Sequence, residues 1–311
     1  MMREMTYTET FTIGAFAPLN FDLTAQIFRN GDKQIRTYRD GVFSQVLKLN
    51  GQLALVKVTS IGTIEQPELA VELKATNPLT LKDKRKAQET VKFMFNLDFD
   101  LSLFYEEIEG DRVMSQIAKL LYGLKNPTTP TVFEALVDSI IEQQISIIVA
   151  IGLEEKLVKK LGERLTVGGE TYFAFPTPQT LASSSVEEIQ QVGLTRRKAE
   201  YIQESAQLIV AGKLDLERLK AQESAEEIIL KLDEVRGIGV WTAELAMLRG
   251  MQRLDALPAE DLGLRRVISR YYRGGRPIKA AEAREIAKPW GRWKGLAAFY
   301  LIMAEFKEIS V

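Results

Sequence analysis

The sequence predicts an α+β fold: a small antiparallel β-sheet domain with helices over residues 1–110, then a mostly α-helical domain over 111–311. Three observations predict it. Residues 42–49 and 53–58 are rich in aliphatic residues at strand spacing and flank the turn Asn50-Gly51-Gln52, the pattern of a hairpin. Beyond Asp111 the apolar residues recur at helical spacing, with almost no strand signal. The chain has 311 residues, 46% of them hydrophobic, which suffices for more than one core.

In chain order, 65–73 offers a third strand, and 81–95 is charged and apolar at helical spacing, so it reads as a helix packed on the sheet. This N-terminal part carries no chemical motif and reads as structural. Pro130 starts a helix in which Phe133, Leu136, Val137, Ile140, Ile141 and Ile148 form one apolar stripe. The polar run Glu142-Gln143-Gln144-Ile145-Ser146 interrupts that stripe, either for local amide-to-backbone hydrogen bonding or for function. Residues 165–170 read as a linker with Gly168-Gly169, and Phe175-Pro176-Thr177-Pro178 marks a turn before a short helix. A helix opens at 193–199 and runs to about Gly212. Its basic start, Arg196-Arg197-Lys198, opposes the helix dipole and calls for either a phosphate or simple solvation.

The stretch 232–269 is the most informative. A helix end leads through Gly237-Ile238-Gly239 into a second helix at Trp241-Thr242-Ala243, which stops near Gly250. A loop runs to Pro258, and Glu260-Asp261 opens another helix, 22 residues beyond Gly239. Two glycines around an apolar residue allow positive φ at a sharp turn and leave backbone N–H groups uncovered. With the following helix N-terminus they suit a phosphate, although a plain helix connector has the same pattern. Asp261 taken alone is a residue favoured in any first helical turn. After it, 271–276 reads as a loop with Gly274-Gly275, and 278–288 as a charged helix. Trp290 and Trp293 precede an apolar terminal helix over 296–306.

Composition excludes much. The chain has no cysteine and no histidine, so disulfides, Cys/His zinc sites, iron–sulfur ligation and Ser-His-Asp or Cys-His catalysis are ruled out. Carboxylates, Lys, Tyr, hydroxyls, backbone groups or an oxygen-ligated cation must carry any chemistry. Net charge is −1, but residues 249–294 hold twelve Lys/Arg against five Asp/Glu. A basic stretch around Asp261 is the footprint of a DNA-facing surface, or a set of solvated helix faces. With no apolar run of membrane length and no leader-like start, a soluble cytoplasmic protein is expected.

Together, LxxVxGIGxWTAE and the later D-x-L-P-x-x-D-L-G-L-R-R resemble the helix–hairpin–helix and Gly/Pro-rich loop plus aspartate of the base-excision DNA glycosylase superfamily. The resemblance covers nearly the whole chain and is greatest to the alkylation-repair branch, the 3-methyladenine DNA glycosylase II type. It implies that Asp261 is catalytic and that Glu260 is only its neighbour. Gly237, Ile238, Gly239 and Thr242 would hold the DNA backbone. Residues 133–146 resemble the FEALVxxIxxQQIS helix of these enzymes, which places Gln144 as the wedge in the gap left by an extruded base.

Trp241, Leu245 and Trp293 would line the base pocket, with Trp290 as structural partner. Leu245 stands where some relatives have an aromatic residue. The segment 290–295 lacks the Pro, Arg and Ser of the family's W-x-P-W-R-S. Bifunctional relatives carry a lysine at the position of Trp241, so the resemblance implies hydrolysis of the N-glycosidic bond without strand cleavage. It further implies a damaged double-stranded DNA partner, a monomer and no iron–sulfur cluster. No cofactor is required beyond a monovalent cation, Na+ or K+, on the carbonyls of Asp233, Val235 and Ile238. A glycosylase for oxidised or deaminated purines, and a non-catalytic helix–hairpin–helix DNA-binding module, are the competing readings.

Overall fold

The structure, a computed structural model, describes residues 5–222 and 224–309. Five strands, β1 (Tyr7–Gly14), β2 (Arg36–Arg39), β3 (Val42–Lys48), β4 (Leu53–Ser60) and β5 (Glu68–Ala75), form an antiparallel sheet in the order β1-β5-β4-β3-β2. The predicted hairpin is β3–β4, with Val46 opposite Leu55. The strand expected over 65–73 is β5, which begins only after Pro67 because proline has no N–H for a ladder. β1 and β2 escaped the sequence reading: β1 is an edge strand in which Ile13 alone is fully buried, and β2 is four residues long.

One face of the sheet is closed by α1 (Phe21–Ala25) and α2 (Leu81–Met94), which bury Phe21, Ala87, Val91 and Met94 against Val56, Val58, Val71 and Leu73. α2 starts where expected because Thr80 and Asp83 form a capping box, in which the Thr80 hydroxyl accepts the Asp83 N–H at 3.2 Å and Asp83 accepts the Thr80 N–H at 2.9 Å. Asp83 also accepts from Asn50 at 3.2 Å and Gln52 at 3.0 Å, tying the hairpin turn to the helix start.

The helical part runs α3 (Ser102–Glu107), α4 (Arg112–Leu120), α5 (Val132–Glu142), α6 (Ile147–Leu161), α7 (Pro178–Ser183), α8 (Val186–Gln190) and α9 (Arg196–Val210). It continues with α10 (Leu216–Lys220), α11 (Ala225–Asp233), α12 (Val240–Gly250), α13 (Leu262–Arg273), α14 (Ala280–Ala287) and α15 (Lys294–Phe306). It holds two cores. Leu136, Ile140, Leu157, Ile202, Leu232 and Met247 belong to one. Phe104, Met114, Ile117, Ile268, Trp290 and Leu301 belong to the other. The chain enters the second core, leaves to build the first, then returns. The return crosses 251–257, where Met251 and Ala256 pack in the first core and Leu254 and Leu257 in the second.

Several expectations are corrected. The linker over 165–170 is a hairpin of β6 (Arg164–Val167) and β7 (Glu170–Phe173). Gly168 and Gly169 have φ of 63° and 83°, the double positive φ of a two-residue hairpin turn. Leu165 and Val167 pack on Val46 and Leu55 of the sheet. The helix expected from Pro130 begins at Val132 behind the Thr131 cap and ends at Glu142. Ile148 therefore lies outside its stripe, on α6, and is 80% exposed. The loop expected over 271–276 is shorter, since α13 continues to Arg273 and ends on Gly274 at φ 62°.

Candidate DNA-facing and catalytic site

The turn after α11 reverses the chain so tightly that only one of its glycines needs left-handed backbone. Gly237 has φ 86°, whereas Gly239 is extended at φ −96°, ψ 179° and serves as N-cap of α12. Any Cβ at Gly237 would stand 2.2 Å from Cγ of Tyr201. Gly239 offers no side-chain cap, and both it and Val240 are exposed, so the first N–H groups of α12 remain open to an anion. Ile238 is 2% exposed and can contribute only backbone. Thr242 is likewise 2% exposed, and its hydroxyl accepts from Gln143 at 3.0 Å, so its side chain does not reach the surface.

Gln143 also donates to the Gly237 carbonyl at 2.8 Å, fastening the end of α5 to the turn. The next residue, Gln144, is exposed and has φ 58°, a region that side chains other than glycine enter rarely. Residues 144–149 are all exposed, among them Ile147, Ile148 and Val149. In the same turn, the Val235 carbonyl accepts the Ile238 N–H at 3.0 Å. Among the described residues, the Asp233 and Ile238 carbonyls accept no hydrogen bond from the turn.

Asp261 is half-buried and caps α13, its Oδ1 accepting the Leu264 N–H at 2.7 Å. The capping reading and the functional one are thus compatible, because one oxygen suffices for the cap. Glu260 is used differently. Arg284 of α14 donates to Glu260 at 2.8 Å, to both oxygens of Glu244 at 2.8 and 3.1 Å, and to the Leu257 carbonyl at 3.0 Å. Burial pushes the Glu244 carboxyl up, and Arg284 opposes that shift. Arg249, at the end of α12, feels the negative charges of Glu142, Asp138 and Asp261, of which Glu142 is its ion-pair partner. Arg249 meets these carboxylates where α5, α12 and α13 converge.

Trp241 and Leu245 stand one turn apart on α12, hence on one face. Trp241 is half-buried with its Nε1–H unpaired, and Leu245 is 8% exposed yet belongs to neither helical core. Trp290 is fully buried and donates to Asp111 at 3.0 Å, so it is structural as expected. Trp293 is 6% exposed, with ring centroids 5.4 Å from Phe99 and 6.4 Å from Phe104. It lines a cavity of about 650 Å³ with Phe93, Phe99, Leu254, Arg253 and Asp255. That size suits a small-molecule site. Asp261, Trp241 and Leu245 are not on its wall. Phe93 and Phe99 come from the end of α2 and the segment after it, and their distance in sequence hid them.

The basic footprint is smaller than the sequence implied. Arg249, Arg270 and Arg284 pair with Glu142, Glu305 and Glu244, acids from outside 249–294, while Arg273 and Arg276 share Glu282. At the basic start of α9, Arg197 is exposed while its two neighbours are engaged within the protein. Arg196 pairs with Glu187 and Glu200, and Lys198 is buried with its ammonium on the Ile141 carbonyl at 2.7 Å. No helix among the described residues is long and apolar enough to cross a membrane.

Comparison with known proteins identifies the family. A DNA-3-methyladenine glycosylase of Bacillus subtilis is 29% identical over 293 residues, covering 91% of this chain and 94% of that protein. DNA-3-methyladenine glycosylase 2 of Escherichia coli is 27% identical over 272 residues, covering 87% of this chain and 88% of that protein. The solved 3-methyladenine DNA-glycosylase from Archaeoglobus fulgidus superposes with a TM-score of 0.84 at 27% identity, covering 96% of this chain and all of that one. The model of the HhH-GPD superfamily base excision DNA repair proteins matches residues 137–292, from α5 through the hairpin to the segment before Trp293. With half of its length so matched, including Asp261, the chain belongs to the HhH-GPD superfamily of base excision DNA repair proteins.

Proposed function

We propose that this protein is a monofunctional DNA glycosylase that hydrolyses the N-glycosidic bond of flipped-out alkylated purines, of the 3-methyladenine and 7-methylguanine type, and leaves an abasic site. The observation that carries the reading is Asp261, half-buried and fixed by the Leu264 N–H, while its neighbour Glu260 is occupied by Arg284. Departure of a purine leaves oxocarbenium character on the sugar. A pre-organised carboxylate beside the anomeric carbon stabilises that charge and orients the water that traps it. Asp261 performs both roles. A base that already carries positive charge leaves without a second carboxylic acid to protonate it, which suits N-alkylated purines and a chain lacking histidine.

Extruding the base costs roughly a few kcal/mol, least for damaged pairs. Gln144 fills the vacated stack, and its positive φ at an exposed bend is backbone held for a purpose. The open N-terminus of α12 with Gly237, Ile238, Gly239 and Thr242 grips the phosphodiester through main-chain N–H groups. Trp241, Leu245 and Trp293 receive the base. Stacking on indole contributes about 1–3 kcal/mol by analogy with single strands, and the indole face also attracts a cation. The protein acts as a monomer on damaged double-stranded DNA, with Na+ or K+ on the carbonyls of Asp233, Val235 and Ile238.

Release of labelled bases from alkylated DNA tests the assignment. Asp261→Asn keeps the helix cap, because asparagine caps as well as aspartate. Base release should fall by about 10²–10³, the cost of one pre-organised electrostatic group, with DNA affinity retained. Equal activity in the variant would leave only a DNA-binding module. Trp241 in place of an amine predicts no cleavage of abasic DNA, and an adduct trapped by borohydride would refute the monofunctional assignment.

A further inference from the structure

Away from the hairpin, three carboxylates converge where the sheet meets the helical part. Glu134 and Asp138 lie one turn apart on α5 and Glu154 on α6, and one oxygen of each lies within 4.8 Å of the others. Glu134 is 3% exposed and Asp138 7%. Arg36 of β2 reaches in from the sheet and donates to Oε1 of Glu134 at 2.8 Å and to Oε1 of Glu154 at 2.9 Å. Three carboxylates against one guanidinium leave an excess of negative charge in a buried place, which a proton or a cation must neutralise.

Two oxygens there are also orphaned. Oδ1 of Asp138 is buried without any hydrogen-bond partner. So is Oε1 of Gln45, a residue that faces Arg36 across the β2–β3 ladder and lies against Glu134. Buried oxygens of native proteins are nearly always satisfied, so an unmet pair beside a charge excess marks a missing partner. A cation that takes oxygen ligands would supply that partner.

We propose that Glu134, Asp138 and Glu154 bind a hard divalent cation of calcium size, which fastens the sheet-bearing part to α5 and α6. The donors are all oxygen, the ligand type of Ca2+ and Mg2+. Mg2+ dehydrates reluctantly and keeps several waters, whereas a buried cage of protein carboxylates suits the more adaptable Ca2+. Arg36 occupies only one oxygen of each glutamate and leaves the second to the ion. Arg249 and Glu142 are the other charged groups that bear on Asp138. The site steadies the helix whose end, through Gln143, holds the hairpin turn.

The test uses the full chain, freed of metal and kept in potassium buffer so that monovalent carbonyl sites are filled. CaCl2 is titrated calorimetrically, and thermal melting is followed with and without it. One saturable calcium site and a calcium-dependent rise in Tm are expected for the wild type, with binding weakened at least about tenfold in Asp138→Asn. Glu154→Gln, at the less buried edge of the cluster, should show the same loss and covers the case in which the first variant fails to fold. No saturable binding by the wild type, or undiminished binding in a folded variant, overturns the proposal. Tighter binding of Mg2+ than of Ca2+ overturns the assignment of ion size.

Discussion

Glu260 and Asp261 follow one another in the chain, yet Glu260 is drawn to Arg284 at 2.8 Å while Asp261 turns back onto the Leu264 N–H at 2.7 Å. Glu260→Gln should therefore leave base release nearly unchanged, in contrast to the loss expected for Asp261→Asn. At Gly237 the constraint is steric as well as conformational. Its φ of 86° disfavours any side chain, and a Cβ would meet the Tyr201 ring at 2.2 Å. Gly237→Ala should destabilise the protein by about 2 kcal/mol or more, through strain at positive φ and displacement of that ring. A fall in the denaturation midpoint together with weakened DNA binding would show it, whereas a midpoint equal to wild type would mean that the turn relaxes freely.

Among the elements, α2 shows how a start signal works. Burial raises the Asp83 carboxyl, but hydrogen bonds from Thr80, Asn50 and Gln52 outweigh it and hold the group down at about 2. A carboxylate whose folded value lies below its ordinary 3.8 contributes stability that is full above about pH 4 and is lost as pH falls towards 2. Asp83→Asn should flatten the acid limb of the stability curve in that window. An unchanged limb in denaturant titrations across it would refute the role. The helix was legible from its spacing over 81–95, whereas its capping box of Thr80 and Asp83 emerged only from the structure. The β6–β7 hairpin was not legible, because two four-residue strands give little alternation, although Gly168-Gly169 between them is the stronger sign.

At the scale of the molecule, Arg284 joins parts that belong to different cores. It lies on α14, beside the second core, and holds Glu244 of α12 and the carbonyl of Leu257 in the crossing segment. Arg284→Met would leave Glu244, only 3% exposed, without its counter-charge. A loss of about 2 kcal/mol is expected, less than for a fully buried pair because Arg284 is itself partly exposed. The double variant with Glu244→Gln should recover most of it. Equal stabilities of the single and double variants in urea would show that the pair is not coupled.

Whatever depends on near neighbours along the chain could be read without a fold. That includes the β3–β4 hairpin, the long helices, the glycine turn ahead of α12, the aspartate that opens α13, and the chemistry forbidden by having neither cysteine nor histidine. Periodicity and capping act over a few residues, so their signals survive without a fold. Packing of separate elements was needed to see that Glu260 is occupied, that Thr242 is buried, and that much of the basic stretch is answered by distant acids. It alone set Phe99 beside Trp293 and Arg36 among the carboxylates of α5 and α6. Those pairings span roughly a hundred residues or more, and packing of separate elements, not local spacing, brings them together.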